Sequence, residues 1–395
     1  MTEAFENMLY LLGAGARGYE IDATGMDMTK IREVAILQGV WPIVYKAAES
    51  TVNVNPWRSE FIFTMANSIS RKEFTLSTIR KLEENGVRYC IMKGAAIAGL
   101  YALPECRISG DADIYINPDD EDKAIRILKE NGYRVEERTK NNHHVRAVHP
   151  VGGLLEVHVR MYSKTAEEMV FDNKVKYTDS YVKTTIDGHE YNVMNPDDEI
   201  LYLTAHYIKH LVNGGCGIRQ ILDLLLYIDK NKDKFDTEKY YKLMEELRYG
   251  KLLDIIKSVG GKYFGFDYPV TDEELVESFL TDTENGGTFG AFADDRKNFH
   301  SLYCKRRGVG SRMKNSVKLA LKREKNIFYK LFPPRHELLK GGYGYAKFIL
   351  LVPFAWVHRF FNIAFHRTRN RAEDRLSSEK ALKRLELMKN LGMID

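Results

Sequence analysis

An α+β fold is predicted, with a mixed sheet in the middle of the chain and helices before and after it. Three observations carry this. From Asp27 to about Glu84, apolar residues recur at three- and four-residue spacing, the signature of amphipathic helices. Between residues 86 and 194, short apolar or alternating runs are separated by Gly, Pro and Asn signals, as strands are. After Asn195 the helical spacing returns. At 395 residues the chain is long for one core, because domains tend to run roughly 100–200 residues. The expected division is an N-terminal helical region over 1–85, an α/β core over 86–194, a helical substrate-cleft domain over 195–300 and a basic helical region over 301–395.

The elements follow in order. KIREVAILQGVWPIVYKAA and RSEFIFTMANSISRKEFTLSTIRKLEE supply helices, and Asn85-Gly86 stops the second. The run VRYCIM is short, apolar and rich in β-branched and aromatic residues, so it reads as a buried strand, with Lys93-Gly94 turning the chain out of it. A short helix is expected over residues 95–101, a strand over 111–116, and a helix over 119–130 ended by Asn131-Gly132. Further strands are expected at 133–137, 143–149, 154–161 and 190–194. Asn195-Pro196 then opens a helix, an N-cap side chain followed by proline, with Asp197, Asp198 and Glu199 at the positive end of its dipole. Helices are expected over 196–211, 218–229, 237–247, 252–263 and 272–281, followed by a loop over 282–296.

With 44% hydrophobic and 29% charged residues, the composition is that of an ordinary soluble globular protein and excludes wholesale disorder. Cys90, Cys106, Cys216 and Cys304 are far apart and form no CxxC pair, which argues against a disulfide framework or a zinc ribbon and for a reducing compartment. The N-terminus carries acids where a secretory signal carries Lys or Arg, and no apolar run reaches transmembrane length; the expected location is the cytoplasm. Between Lys305 and Arg371 the only acids are Glu324 and Glu337, so positive charge gathers toward the C-terminus. A solvated helical face explains this most simply, and peripheral contact with an anionic membrane is the alternative. FILLVPFAWV is too short to span a bilayer and is broken by Pro353; it is expected to be buried rather than interfacial.

The densest chemical signal is KGAAIAGLYALPECRISGDADIYI, in which Asp111 and Asp113 alternate on one strand and share a face. Carboxylates that close repel each other, and a divalent cation reverses the preference for protonating one of them. Mg²⁺ suits such a pair because it accepts a few carboxylates and leaves room for water and phosphates. LLEVHVRM offers a third acid, Glu156, on one strand face with His158 and Arg160. Two Mg²⁺ ions, with Mn²⁺ as the alternative, would then activate an attacking oxygen and neutralise a pyrophosphate leaving group. Lys93 and Arg107 would add positive charge for a triphosphate, Gly94 and Gly110 would let the backbone approach it, and Ser109 joins them as a nucleotide-binding candidate. A bare D-x-D is common in surface turns; here a strand, Lys-Gly, a helix, an Arg and a later Glu agree with it.

This pattern resembles the poorly characterised nucleotidyltransferases of the DNA polymerase β superfamily, which show K-G, then R, then D-h-D, then an E-x-H strand. The match is Lys93-Gly94, Arg107, Asp111-Ala112-Asp113 and Glu156-Val157-His158. His206, His210, Arg219 and Asp223 resemble the H-x-x-x-H and R-x-x-x-D helices of those proteins, and the likeness spans most of residues 80–230, with looser similarity in FYKLFPP and LLVPFAWVHRF. It implies a minimal nucleotidyltransferase core, with Asp111, Asp113 and Glu156 as catalytic metal ligands and an NTP as donor. One departure is local: the superfamily follows its Gly with Gly or Ser closer to the acids, whereas here Ala95 follows Gly94 and the spacer is longer, so Lys93 is expected to replace the missing hydroxyl in part.

Other features have plainer readings. His206 and His210, one turn apart, are read first as buried structural residues and second as contacts in a substrate cleft. Arg219 and Asp223 are expected to pair at i, i+4. His143, His144 and His149 are read as polar tips of a half-buried strand, not as ligands. The expected activity is Mg²⁺-dependent transfer of a nucleoside monophosphate, from ATP first among NTPs, to a hydroxyl. The acceptor is expected to be a small molecule held between the α/β core and the helices after Pro196, with a protein or an RNA end as alternatives. The rival reading is a non-catalytic nucleotide- or partner-binding module on the same scaffold.

Overall fold

The computed structural model describes residues 1–136, 144–162, 171, 181–287, 299, 303, 306, 338, 347, 351–358 and 371–395. His143, most of the basic stretch after Lys305, FYKLFPP, Arg359 and Arg367 lie outside them. The chain divides into two compact units, one of Met1–Ala293 with Asn390–Met393, the other of Asp294–Lys389 with Ile394–Asp395.

The first unit opens with helices α1 (Glu3–Arg17), α2 (Met28–Leu37), α3 (Trp41–Ala48) and α4 (Arg58–Glu84). Thr2 caps α1 by accepting from the Phe5 N–H, and Asp27 caps α2 by accepting from Lys30. Strand β1 (Tyr89–Met92), helix α5 (Gly94–Ala98), β2 (Asp111–Ile116) and helix α6 (Glu121–Glu130) follow. Next come β3 (Arg134–Val135), β4 (His144–His149), β5 (Gly153–His158), β6 (Tyr181–Ile186) and β7 (His189–Met194). Helices α7 (Pro196–Asn213), α8 (Ile218–Asn231), α9 (Thr237–Glu246), α10 (Gly250–Tyr263) and α11 (Glu273–Gly286) complete the unit. The predicted loop over 282–296 therefore starts too early, because α11 continues to Gly286 on buried Thr283 and Gly286.

The sheet runs β3-β4-β5-β2-β1-β7-β6. It is mixed: β2–β5 and β1–β7 pair in parallel, the other neighbours antiparallel. Alternation sorts its faces. Ile114, Ile116, Leu155, Val157, Val145, Ala147, Tyr191 and Val193 join Leu76, Ile79 and Leu82 of α4 and Ala124, Ile127 and Leu128 of α6 in one core. Burying each such aliphatic side chain contributes about 1.5–3 kcal/mol, so the strand register is fixed, since a slip of one residue would put Asp111 and Asp113 into that core. Strand β6 went unpredicted, although Asp187 and Gly188, at φ 49° and 79°, form the two-residue turn that joins it to β7, the residue pair that favours a tight hairpin.

In the second unit, Leu338, Val352 and Ala355 are buried together, whereas Phe354 and Val357 are exposed. The helical residues 352–358 thus bury one face of the apolar segment and expose the other. Helix α12 spans Arg371–Asn390. No helix among the described residues is long and apolar enough to cross a membrane.

Candidate active site

The acids sit where the two central parallel strands meet. Asp111 and Asp113 project from β2 on the face opposite the apolar core, and Asp113 lies in register with Glu156 on β5. Arg146 on β4 lies beside Glu156, and His144 beside His158. Asp113 is only 4% exposed; its Oδ1 accepts from His158 Nε2 at 2.9 Å and its Oδ2 lies 3.1 Å from Lys93 Nζ. Burial alone would push the Asp113 carboxyl up, but Lys93 and His158 outweigh it and hold the group well below the usual carboxylate range. Glu156 moves the other way, raised by burial and by the charge of Asp113.

Lys93 is placed by an unusual backbone. Its φ of 50° with ψ −136° is a left-handed-side conformation that L residues rarely adopt. It is held because the Lys93 N–H donates to Glu199 Oε1 on α7 at 3.1 Å. The turn aims the side chain at Asp113, with Nζ 3.3 Å from His206 Nε2 and over the Tyr202 ring. Burial and the Lys93 charge keep His206 neutral, its imidazole well below the usual range, so the ring accepts from the ammonium. His210 meets His206 edge-on, ring centroids 4.4 Å apart. Glu199 is buried, and that burial pushes its carboxyl up to about 7. Gly94 at φ 31° faces open space: an added Cβ would meet nothing within 4 Å, leaving its backbone free to approach a ligand.

Arg107 is fixed instead of free. Its guanidinium makes a bidentate pair with Asp223 of α8, Nε to Oδ1 at 2.7 Å and Nη2 to Oδ2 at 2.8 Å, and Tyr101 donates to the same carboxylate at 2.7 Å. The predicted Arg219–Asp223 pair is corrected accordingly: Asp223 goes to Arg107, while Arg219 donates to the Ile108 carbonyl at 2.6 Å. Both arginines thus tie the segment before β2 to α8. That segment brings Ser109, Gly110 and Asp111 to the wall of a cavity of about 450 Å³, shared with Gly94, Phe63, Asn67 and Arg71. The cavity opens at the start of β2, where Phe63, Asn67 and Arg71 of α4 meet Asp111, Asp113 and, from α8, Arg219 in its lining.

A divalent cation fits the donors present. Three carboxylates lie on one sheet face, and Glu156 is raised partly by the negative charge of Asp113 and Asp111, the imbalance that a cation relieves. The acids alone do not converge, however. Among the described residues, the group whose donor atoms all lie within 4.8 Å of one another is His144, Glu156 and His158. Sequence reasoning set His144 aside; the signal that could have found it is the antiparallel pairing of β4 with β5, which no local pattern reveals. Of the predicted residues, the structure gathers Asp113, Glu156, His158, Lys93 and His206 in one cluster, and Asp111, Gly94, Arg107, Ser109 and Gly110 line the cavity together with Asp113.

Over residues 24–264 the sequence matches the family described as uncharacterised nucleotidyltransferase. Similar solved structures include the lincosamide antibiotic adenylyltransferase LnuA bound to lincomycin, 14% identical, covering 39% of this chain and 94% of that one at a TM-score of 0.29. An antigenic nucleotidyltransferase-like protein from Paracoccidioides brasiliensis is 19% identical and covers 40% of this chain and 75% of that one at a TM-score of 0.27. No curated protein matches the chain.

Proposed function

Because the chain belongs to the uncharacterised nucleotidyltransferase family, we propose that it transfers a nucleoside monophosphate from an NTP, with ATP as the first donor to test, to a hydroxyl on an acceptor held in the cavity lined by Asp111 and Asp113. Pyrophosphate is the second product. The observation that carries this reading is that the cavity and the carboxylate cluster meet at Asp111 and Asp113.

Asp111, Asp113 and Glu156 would hold the divalent cation, Mg²⁺ being the first to test. When bound, it supplies charge neutralisation for the triphosphate and lowers the proton affinity of the attacking hydroxyl. The chain's own residues do the rest. The open backbone at Gly94, together with Ser109 and Gly110, offers N–H donors and close approach for phosphate oxygens. Lys93 Nζ lies over the same carboxylates, 3.1 Å from Asp113 Oδ2. Arg107 and Arg219 hold the Ser109–Asp111 segment in place, and such positioning is where catalysis of phosphoryl transfer mostly comes from. The cavity lining, with Phe63, Ile69 and Ile108 beside Asn67, Thr64 and Arg71, suits a drug-sized molecule with an apolar body and polar groups.

The test is transfer of label from each α-labelled NTP into a small-molecule extract, read with pyrophosphate release. Wild type should label an acceptor and Asp111→Ala should not; equal labelling by both would overturn the role given to Asp111.

A further inference from the structure

We infer that this face carries an imidazole-containing metal site, formed by His144, Glu156 and His158, and that the protein takes a borderline cation such as Mn²⁺, Co²⁺ or Zn²⁺ there in preference to Mg²⁺. The inference rests on the proposed function in reading this face as a metal site, but it gives Glu156 to an imidazole group distinct from the Asp111–Asp113 pair, and binding there needs neither nucleotide nor turnover.

The geometry points this way. His144 Nε2 is 3.6 Å from Glu156 Oε1, and His158 Nε2 is 3.8 Å from Glu156 Oε2. Two ligand atoms about 2.1 Å from a tetrahedral ion are separated by about 3.4 Å, so small side-chain adjustments close the site. Asp113 Oδ1, 2.9 Å from His158 Nε2, stands ready as a fourth donor. The three side chains come from paired positions on two adjacent strands, His144 opposite His158 and Arg146 opposite Glu156, so the sheet itself sets their spacing. His158 is 2% exposed and its ring lies 5.2 Å from that of His144. Strand ladders hold such side chains more precisely than loops do.

Ligand type then selects the ion. Carboxylate and water ligands suit Mg²⁺, whereas imidazole suits later first-row ions and zinc. Two imidazoles and one or two carboxylates make a donor set that Mg²⁺ has little reason to occupy. Binding requires one proton to move: the Nε2–H that His158 now gives to Asp113 must shift to Nδ1 so that Nε2 offers its lone pair.

The experiment uses the full chain without nucleotide. Co²⁺ is titrated and the proton NMR spectrum is searched for solvent-exchangeable, paramagnetically shifted imidazole N–H signals. Wild type should show two, one from each histidine, and excess Mg²⁺ should not remove them. His144→Ala should lose one signal and weaken Co²⁺ binding at least about tenfold. Circular dichroism of each variant reports folding. Absence of shifted imidazole signals in folded wild type, or an unchanged pair in His144→Ala, would overturn the inference. If the two signals appear in a protein that transfers nothing, the metal site stands and the proposed function fails.

Discussion

Removing one member of the Arg107–Asp223 pair should cost far more than removing both. The two side chains are 5% and 7% exposed, and a guanidinium remains charged at any accessible pH. Asp223→Ala would therefore leave a buried cation with Tyr101 and the Gly94 carbonyl, 3.4 Å from Nη1, as its remaining hydrogen-bonding neighbours among the described residues. Breaking a buried pair in this way costs about 3–5 kcal/mol, whereas replacing both partners with apolar groups is often neutral or even stabilising. Arg107→Met should cost a similar amount, because it strands the carboxylate of Asp223. Arg107→Met/Asp223→Leu should cost less than either single change, giving a coupling energy of several kcal/mol on the scale of about 3–5 kcal/mol per broken pair. The assay is urea unfolding followed by circular dichroism on all four proteins at pH 7. Additive losses, with the double variant the least stable, would refute the view that this pair is a mutually compensated anchor for the segment before β2.

Two further outcomes follow from the same geometry. The Glu199 carboxyl sits at about 7 against an ordinary 4.5; the folded state therefore keeps a proton that the unfolded chain releases, and stability should fall as pH rises from about 4.5 to about 7, by up to about 3 kcal/mol. Glu199→Gln should flatten that slope in urea unfolding measured across the window, and an unchanged slope would remove Glu199 as its source. Asn67→Trp, which fills the cavity from its α4 wall, should leave NTP affinity within about twofold while suppressing transfer to the acceptor; unimpaired transfer would place the acceptor elsewhere.

Much of the scaffold was legible because local patterns carry it. Helix α4 runs over the predicted residues 58–84, and Asn195 caps α7 by accepting from the Asp198 N–H, as its position before Pro196 implied. Strand β2 puts Asp111 and Asp113 on one face because alternation is a property of the backbone alone. What failed to show was long-range. The pairing of His144 with His158 depends on which strands are neighbours, and the partner of Asp223 is 116 positions away. The i, i+4 rule favoured Arg219, but a buried carboxylate binds whichever guanidinium the fold delivers in bidentate geometry. Strand β6 is a different kind of miss, since Asp187-Gly188 was a local signal that could have been read.

The most direct test of the central claim is calorimetric titration of non-hydrolysable analogues of the four NTPs, with and without divalent metal, into wild type and Asp111→Ala/Asp113→Ala. Metal-dependent binding of at least one nucleotide, lost in the variant while its fold is kept, is the predicted result. Equal nucleotide binding by both proteins with no need for metal would contradict the account, and would leave a nucleotidyltransferase scaffold that binds without turning over.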